Sequence, residues 1–369
     1  MHAKSSSVVL AVLACLASWT VWRAHDTGRW NRAGGNVSLS SGSMPSSHVP
    51  AAAPVDALEA LCRERAARLP RQLAQSCSAI VRPPFVLAGD LTEAQLQTRW
   101  ADVIQPACDA LVARYFRQLP DHPILILMFT TEAAYREAAE QLFFDRGVSR
   151  FGYYKPGQHT VLVNLAEGDG ALYHELTHVL MDADFPNAPL WLQEGMATLY
   201  EASELRETAI GASGSTCETS RGVETAAVEH CGPRLVPLPN WRGAILRRAL
   251  RENRLPSIRQ LIEAARFRGP GEALDYAYAR YLSLFLHRRD ALAPYYAALR
   301  ERTEPDATGG PTLLEVCAVR DWAALDAEFL AWLADSVSDP RTTESSQRGS
   351  VPISVTWMRL VRRLAQRAI

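Results

Sequence analysis

A pair of histidines separated by three residues, with a glutamate directly after the first, constrains the fold of this chain more than any other feature. His174, Glu175 and His178 lie in the sequence His-Glu-Leu-Thr-His, and apolar residues flank it on both sides. In an α-helix, residues four apart lie one above the other on the same face. Asp169 and Gly170 supply a helix start just before this sequence. The pattern therefore predicts a buried helix whose two imidazoles can bind one metal ion.

A zinc ion held by two histidines needs a third protein ligand, and a catalytic zinc also keeps an open fourth position. Two downstream carboxylates are candidates, Asp184 and Glu194. Ligation by Asp184 requires a sharp reversal near Met181, which has a side chain and lacks the freedom of glycine. Pro189 favours the first turn of a second helix, and a short loop between the helices brings Glu194 back over His178. We therefore expect Glu194, and not Asp184, to be the third ligand.

The segment from Leu172 to Glu201 resembles the active-site region of gluzincin metallopeptidases. Its His-Glu-Leu-Thr-His followed by Trp-Leu-Gln-Glu-Gly-Met-Ala is similar to the peptidase-MA-like branch of secreted bacterial proteins. The resemblance implies an α+β, zincin-like fold with a small mixed or antiparallel sheet, an active-site helix and a mainly helical C-terminal half. It also implies a peptide or protein substrate and a Zn²⁺ ion. The implied zinc ligands are His174, His178 and Glu194, and the implied general base and acid is Glu175.

Other interpretations of the same residues differ in what the helix pair does. Metzincins require glycine at position 181 and a histidine, or occasionally an aspartate, at position 184, whereas this chain has Met181 and Asp184. A buried helix pair with two hydrogen-bonded histidines needs no metal. A catalytically degenerate zincin fold that acts as an envelope binding module, or a zinc amide hydrolase that is not a peptidase, also fits the ligand pattern. The presence of Glu175 favours an enzyme, because a binding scaffold has no need of a base.

Further roles follow from the resemblance and from the expected helices. Related gluzincins often keep a tyrosine that faces the zinc and stabilises the oxyanion, and Tyr276 and Tyr278 lie on a predicted helix from Glu272 to His287. Burial in the aromatic core is the competing interpretation of each. Glu201 follows Glu194 by two helical turns and is expected to orient His174 or His178. We expect the strand at residues 160–164 to be an edge strand along which an extended peptide pairs.

Hydrophobic periodicity predicts a small α+β half followed by a helical half. Strands are predicted at Phe85–Ala88, Ile124–Phe129 and Thr160–Asn164, a first helix at Asp56–Ala74, and further helices at about 92–118 and 131–143. From Ala171 onward the pattern is mostly helical, with loops at 207–240 and 304–311. The predicted metallopeptidase domain therefore spans residues 55–337.

Both ends of the chain carry segments of a different character. Residues 1–22 include a charge-free run of fifteen residues, Val8–Trp22, which is typical of a signal peptide or signal anchor. Residues 23–54 are rich in Ser, Gly, Ala and Pro and predict a flexible linker. The sequence of residues 338–369 predicts a polar linker followed by a basic amphipathic helix. We therefore expect an exported chain that is periplasmic, anchored to the inner membrane through its N-terminal segment, or secreted.

The charge balance limits the classes of partner that we expect, and the cysteine content indicates the redox conditions of the compartment. The 39 basic and 40 acidic residues balance, so there is no electrostatic reason to expect nucleic acid as a partner. Beyond Cys15 there are six cysteines and no Cys-x-x-Cys pair, which favours disulfides over a thiolate metal site. We predict a disulfide between Cys217 and Cys231, and a second pairing of Cys62 with Cys77 is a weaker expectation.

Overall fold

The structure is a computed structural model that describes residues 55–69, 73, 77–206, 232–267, 269–303 and 306–337. The predicted N-terminal segment (1–22), the linker (23–54), the pairing of Cys217 with Cys231 and the C-terminal segment (338–369) lie outside the described residues. No helix in the described part of the chain is long and apolar enough to cross a bilayer.

The N-terminal half is built around a mixed sheet of five strands in the order β1-β2-β3-β5-β4. The strands are β1 (Ser78–Arg82), β2 (Phe85–Gly89), β3 (Ile124–Phe129), β4 (Gly152–Lys155) and β5 (Thr160–Asn164). β2, β3 and β5 run parallel, whereas the two edge strands β1 and β4 are antiparallel to their neighbours. Every residue of the three parallel strands is buried, as their continuous apolar runs predict.

Helices cover both faces of this sheet. They are α1 (Val55–Arg68), α2 (Glu93–Arg99), α3 (Gln105–Arg114), which follows α2 through a π-helical turn, and α4 (Glu132–Phe143). Alternate strand residues pack on opposite faces of the sheet. Leu125 and Leu127 belong to a hydrophobic core that includes Cys62 of α1 and Tyr135 of α4. Ile126 belongs to a second, separate hydrophobic core on the opposite face. The period-two alternation of the strands thus gives a helix-sheet-helix arrangement.

The C-terminal half is mainly helical, so the predicted α+β class is confirmed at this level. Its helices are α5 (Gly170–Asp184), α6 (Leu190–Glu201), α7 (Arg242–Arg251), α8 (Ile258–Ile262), α9 (Glu272–Arg288), α10 (Leu292–Glu301), α11 (Gly310–Val316) and α12 (Trp322–Ser336). After α6, β6 (Ser203–Arg206) pairs antiparallel with β7 (Arg234–Pro237), which lies within the segment predicted as a loop. The predicted strands and helices of the N-terminal half are present, but α1 ends at Arg68, six residues before its predicted end.

The prediction that residues 160–164 form an edge strand is wrong. β5 lies between β3 and β4, and β4 is the edge. A short 3₁₀ turn at Pro156–Gln158 returns the chain so that β4 pairs along β5 and covers its edge. Gly152-Tyr-Tyr-Lys is only four residues long and begins with glycine, a residue depleted in strands, which is why periodicity did not identify it.

The cysteines in the described residues are thiols. Cys62, Cys77, Cys108 and Cys317 are all free, so the weaker pairing of Cys62 with Cys77 does not form in the structure. The sulfur of Cys62 is buried and lies 3.5 Å from the carbonyl oxygen of Pro84. Burial raises the pKa of Cys108 above its ordinary value, so this thiol is unreactive at neutral pH.

Candidate metal centre

The two central helices α5 and α6 form an antiparallel hairpin with a short connection, residues 185–189. A side chain at Gly170, the first residue of α5, would come within 2.3 Å of the carbonyl oxygen of Glu201, the last residue of α6. Only glycine therefore fits at this contact. Pro189 immediately precedes α6, as its favoured position at helix starts predicts. The hairpin holds the middle of α6 against the middle of α5.

A second close approach fixes the opposite side of α6. A Cβ atom at Gly195 would come within 2.4 Å of the Ser283 hydroxyl and 2.8 Å of the carbonyl oxygen of Ala279, both on α9. Gly195 therefore faces α9, and its neighbour Glu194 faces α5. The two adjacent residues thus contact different helices, since Glu194 faces α5 and Gly195 faces α9.

The side chains of His174, His178 and Glu194 meet between α5 and α6, with their potential ligand atoms all within 4.8 Å of one another. The two histidine Nε2 atoms are 3.1 Å apart. Oε2 of Glu194 lies 3.6 Å from Nε2 of His178 and 3.9 Å from Nε2 of His174. Ligand atoms bound to one tetrahedral zinc at 2.0–2.1 Å stand about 3.3 Å apart. These residues therefore fit a zinc ion in both chemistry and spacing.

The burial of this cluster favours the metal-binding protonation state of His174. Burial, and then the neighbouring imidazole of His178, lower the pKa of His174 to about 3. The imidazole is therefore neutral at physiological pH, which is the form that binds a metal. A buried glutamate beside two histidines is itself costly unless a cation compensates its charge, and the side chain of Glu194 is only 1% exposed. A divalent cation at the cluster would supply that compensation.

Glu175 is buried next to the ligands on α5 but is not one of the three clustered residues. Its charge reaches Tyr135 on α4, whose pKa is raised by burial first and by Glu175 second. Glu175 therefore contributes a buried carboxylate to the same helix as the two histidines without belonging to the cluster. Such a carboxylate can accept a proton from a water molecule at the centre.

The structure separates the two candidate tyrosines of α9. Residues 276 and 278 are about 200° apart around a helix, so they face opposite ways. Tyr278 stacks on Phe329 of α12, with ring centroids 5.2 Å apart, and is buried in the helical core. This packing removes Tyr278 from the candidate site residues. Tyr276 shares a face with Ala279, which packs on α6, and its ring lies 5.7 Å from the guanidinium of Arg242.

Asp184, which the sequence analysis did not favour as the third ligand, forms hydrogen bonds outside the cluster. It is the last residue of α5, and its carboxylate accepts hydrogen bonds from Arg300 at 2.5 Å and from the Tyr296 hydroxyl at 2.9 Å. The backbone N–H of Arg117 donates to its other oxygen. These partners fasten the end of α5 to α10, and the ligand cluster does not include Asp184.

Arg242 is a residue near the site that sequence analysis did not identify, and it is connected to the site through Glu201. Glu201 lies on the far side of His174, with its Oε2 atom 3.9 Å from Nδ1 of that histidine, as its position on α6 predicted. The same oxygen accepts a hydrogen bond of 2.8 Å from Arg242. Burial would raise the pKa of Glu201, but its interactions with Arg242, His174 and Arg280 outweigh burial and lower it. No local pattern distinguishes Arg242 from the other arginines of α7, because its role depends on a contact 41 residues away.

Comparisons with known proteins add no relative to this picture. No protein-family model matches the chain, and no curated protein matches it either. The chemical interpretation of the site therefore depends on the residues that form it and on their geometry.

Proposed function

We propose that this chain is a zinc-dependent peptidase of the gluzincin type with a zincin-like fold. His174, His178 and Glu194 hold the zinc ion, and Glu175 is the general base and acid. The observation that carries the proposal is the buried convergence of two histidines and a glutamate from antiparallel helices, with the buried Glu175 next to His174 in the sequence of α5. The apolar N-terminal segment supports an exported enzyme that acts in the cell envelope or outside the cell.

Glu175 and the three proposed ligands have separate roles in amide hydrolysis. When bound, zinc supplies Lewis acidity, which polarises the scissile carbonyl and lowers the pKa of the attacking water. Glu175 accepts the proton of that water at its carboxylate and then donates it to the leaving amine. His174, His178 and Glu194 stay as ligands throughout, and their burial excludes bulk water from the reacting groups.

The edge strand β4 is the part of the sheet that we propose pairs with an extended substrate. The carbonyl oxygen of Phe151 accepts a hydrogen bond from the N–H of Asn164, so the alternation of antiparallel pairs directs the backbone groups of Tyr153 towards β5. The backbone groups of Gly152 and Tyr154 are then directed away from the sheet. A peptide in an extended conformation can form main-chain hydrogen bonds with these groups. An unfolded protein or a peptide is therefore the proposed substrate class.

The proposed activity is tested by zinc removal. We expect the 369-residue chain to cleave an unstructured protein such as casein, and a chelator such as 1,10-phenanthroline to abolish that cleavage. Added zinc should restore it, since the apo centre keeps its ligands. Mass spectrometry of a peptide-library digest then defines the cleaved bonds. Cleavage that persists undiminished in zinc-free protein would exclude the proposed mechanism.

Tyr276 is proposed as the hydrogen-bond donor to the oxyanion, and the paired tyrosine of α9 provides its control. Tyr276→Phe keeps the ring that packs on Arg242 and removes only the hydroxyl. We expect it to lower kcat by about 10²-fold, the usual effect of losing one oxyanion donor, with zinc affinity unchanged. Tyr278→Phe should leave kcat unchanged because its ring is stacked on Phe329. Equal turnover of the two variants would assign Tyr276 to packing alone.

A further inference from the structure

A buried arginine lies behind the candidate metal centre. Arg242 is the first residue of α7, and its side chain is only 6% exposed. Its guanidinium lies over the ring of Trp241 at 4.6 Å and the ring of Tyr276 at 5.7 Å. Its NH2 group is 2.8 Å from Oε2 of Glu201. The planar guanidinium is therefore held by aromatic rings and ion-paired with a carboxylate at the end of α6.

The Glu201 carboxylate lies on the Nδ1 side of His174, whereas the other proposed ligands lie on its Nε2 side. Nε2 of His174 is directed at His178 and Glu194, whereas Oε2 of Glu201 lies 3.9 Å from Nδ1. At 3.9 Å the carboxylate is beyond hydrogen-bond distance, so it acts on the imidazole through its charge, which favours the orientation and tautomer that place the Nδ1–H towards Glu201 and leave Nε2 for the metal. Arg242, Glu201 and His174 thus form a continuous series of contacts from α7 through α6 to α5.

We propose that Arg242 is a positioning residue, which acts through Glu201 to hold His174 in its ligand orientation. The proposal rests on the metal centre proposed above and adds a determinant of its metal affinity. Without its partner, the Glu201 carboxylate would be free to turn towards water, since 23% of its side chain is exposed. His174 would then lose the nearby negative charge that favours this orientation.

A second buried arginine lies at the same end of α6 and forms different contacts, so it can be compared with Arg242. Arg280 on α9 is fully buried and donates to the carbonyl oxygens of Leu199 at 2.9 Å and Leu238 at 2.6 Å. These hydrogen bonds join backbone segments, and Arg280 acts on the Glu201 carboxylate only through its charge. Arg242 is therefore the arginine whose hydrogen bond to a side chain leads to the metal centre.

The test is a double-mutant cycle that measures zinc affinity. Arg242→Gln and Glu201→Gln are each titrated with zinc against a competing chelator in the 369-residue chain, and thermal melting confirms folding. Each substitution should weaken zinc binding about 10–100-fold, the usual effect of losing such an outer contact. The double variant should be no weaker than the weaker single variant, because both act through one contact. The visible spectrum of the Co²⁺-loaded variants should change in the same order.

Arg248→Gln is the matched control, because Arg248 lies on the same helix, is exposed and pairs with Glu252 on the surface. It should leave zinc affinity and the cobalt spectrum unchanged. If Arg242→Gln does not fold, Arg242→Lys keeps the charge, and a partial loss of affinity is expected. A folded Arg242 variant with wild-type zinc affinity, or effects that add in the double variant, would overturn the positioning role alone. A wild-type chain that binds no zinc would contradict the metal centre itself.

Discussion

Replacement of Glu175 by glutamine should lower kcat by at least about 10²–10⁴-fold while the zinc ion stays bound. Glutamine has nearly the same shape as glutamate, so the buried site of α5 accommodates it. Its amide cannot accept the proton of the attacking water, and the three proposed ligands are untouched. The measurement pairs turnover of an unstructured protein with zinc content of the same preparation.

The control for this change is a glutamate with no place in the site. Glu132 on α4 pairs with Arg136 on the surface, so Glu132→Gln should keep both turnover and zinc. Full activity of a folded, zinc-loaded Glu175→Gln variant would exclude Glu175 as the base. Loss of zinc together with activity would place Glu175 among the ligands instead.

Glu194→Ala should reduce zinc affinity by orders of magnitude, whereas Asp184→Ala should leave it near the wild-type value. A carboxylate oxygen of Glu194 lies 3.6 Å from Nε2 of His178 and 3.9 Å from Nε2 of His174. Asp184 instead forms a buried ion pair with Arg300. Removal of one partner of such a pair costs about 3–5 kcal/mol, so Asp184→Ala should lower the free energy of unfolding without loss of the metal.

The two variants are compared by titration against a competing chelator and by urea unfolding of the zinc-loaded chain. Because zinc binding and folding are coupled, the free energy of unfolding is compared at saturating zinc. The reverse order of zinc affinities, with Asp184→Ala the weaker, would assign the third ligand to Asp184. The gluzincin interpretation would then fail together with the assignment of Glu194.

The ligand cluster could be predicted because everything that forms it is local. His174 and His178 are one helical turn apart, and Glu194 returns through a loop of a few residues. Periodicity and turn chemistry decide such geometry without knowledge of the rest of the chain. The same holds for the three parallel strands, whose apolar runs mark them as buried.

Features that depend on distant pairing could not be predicted in this way. β4 has too few residues to show a period, and only its pairing with β5 reveals that it is the edge of the sheet. Arg242 contacts Glu201 across 41 residues, and nothing near Arg242 indicates that it is buried. Tyr276 and Tyr278 were equal candidates in the sequence, and only the opposite directions in which they face separate the two, since Tyr278 packs on Phe329 and Tyr276 lies beside Phe267 and Arg242.

The metal content of the purified chain tests the central claim most directly. Elemental analysis after equilibration with zinc and removal of free ions should find one zinc per chain in the wild type and in Glu175→Gln. Glu194→Ala, treated in the same way, should retain far less. A folded wild-type chain that retains no zinc, or a Glu194→Ala variant that retains as much as the wild type, would contradict the metal centre of His174, His178 and Glu194.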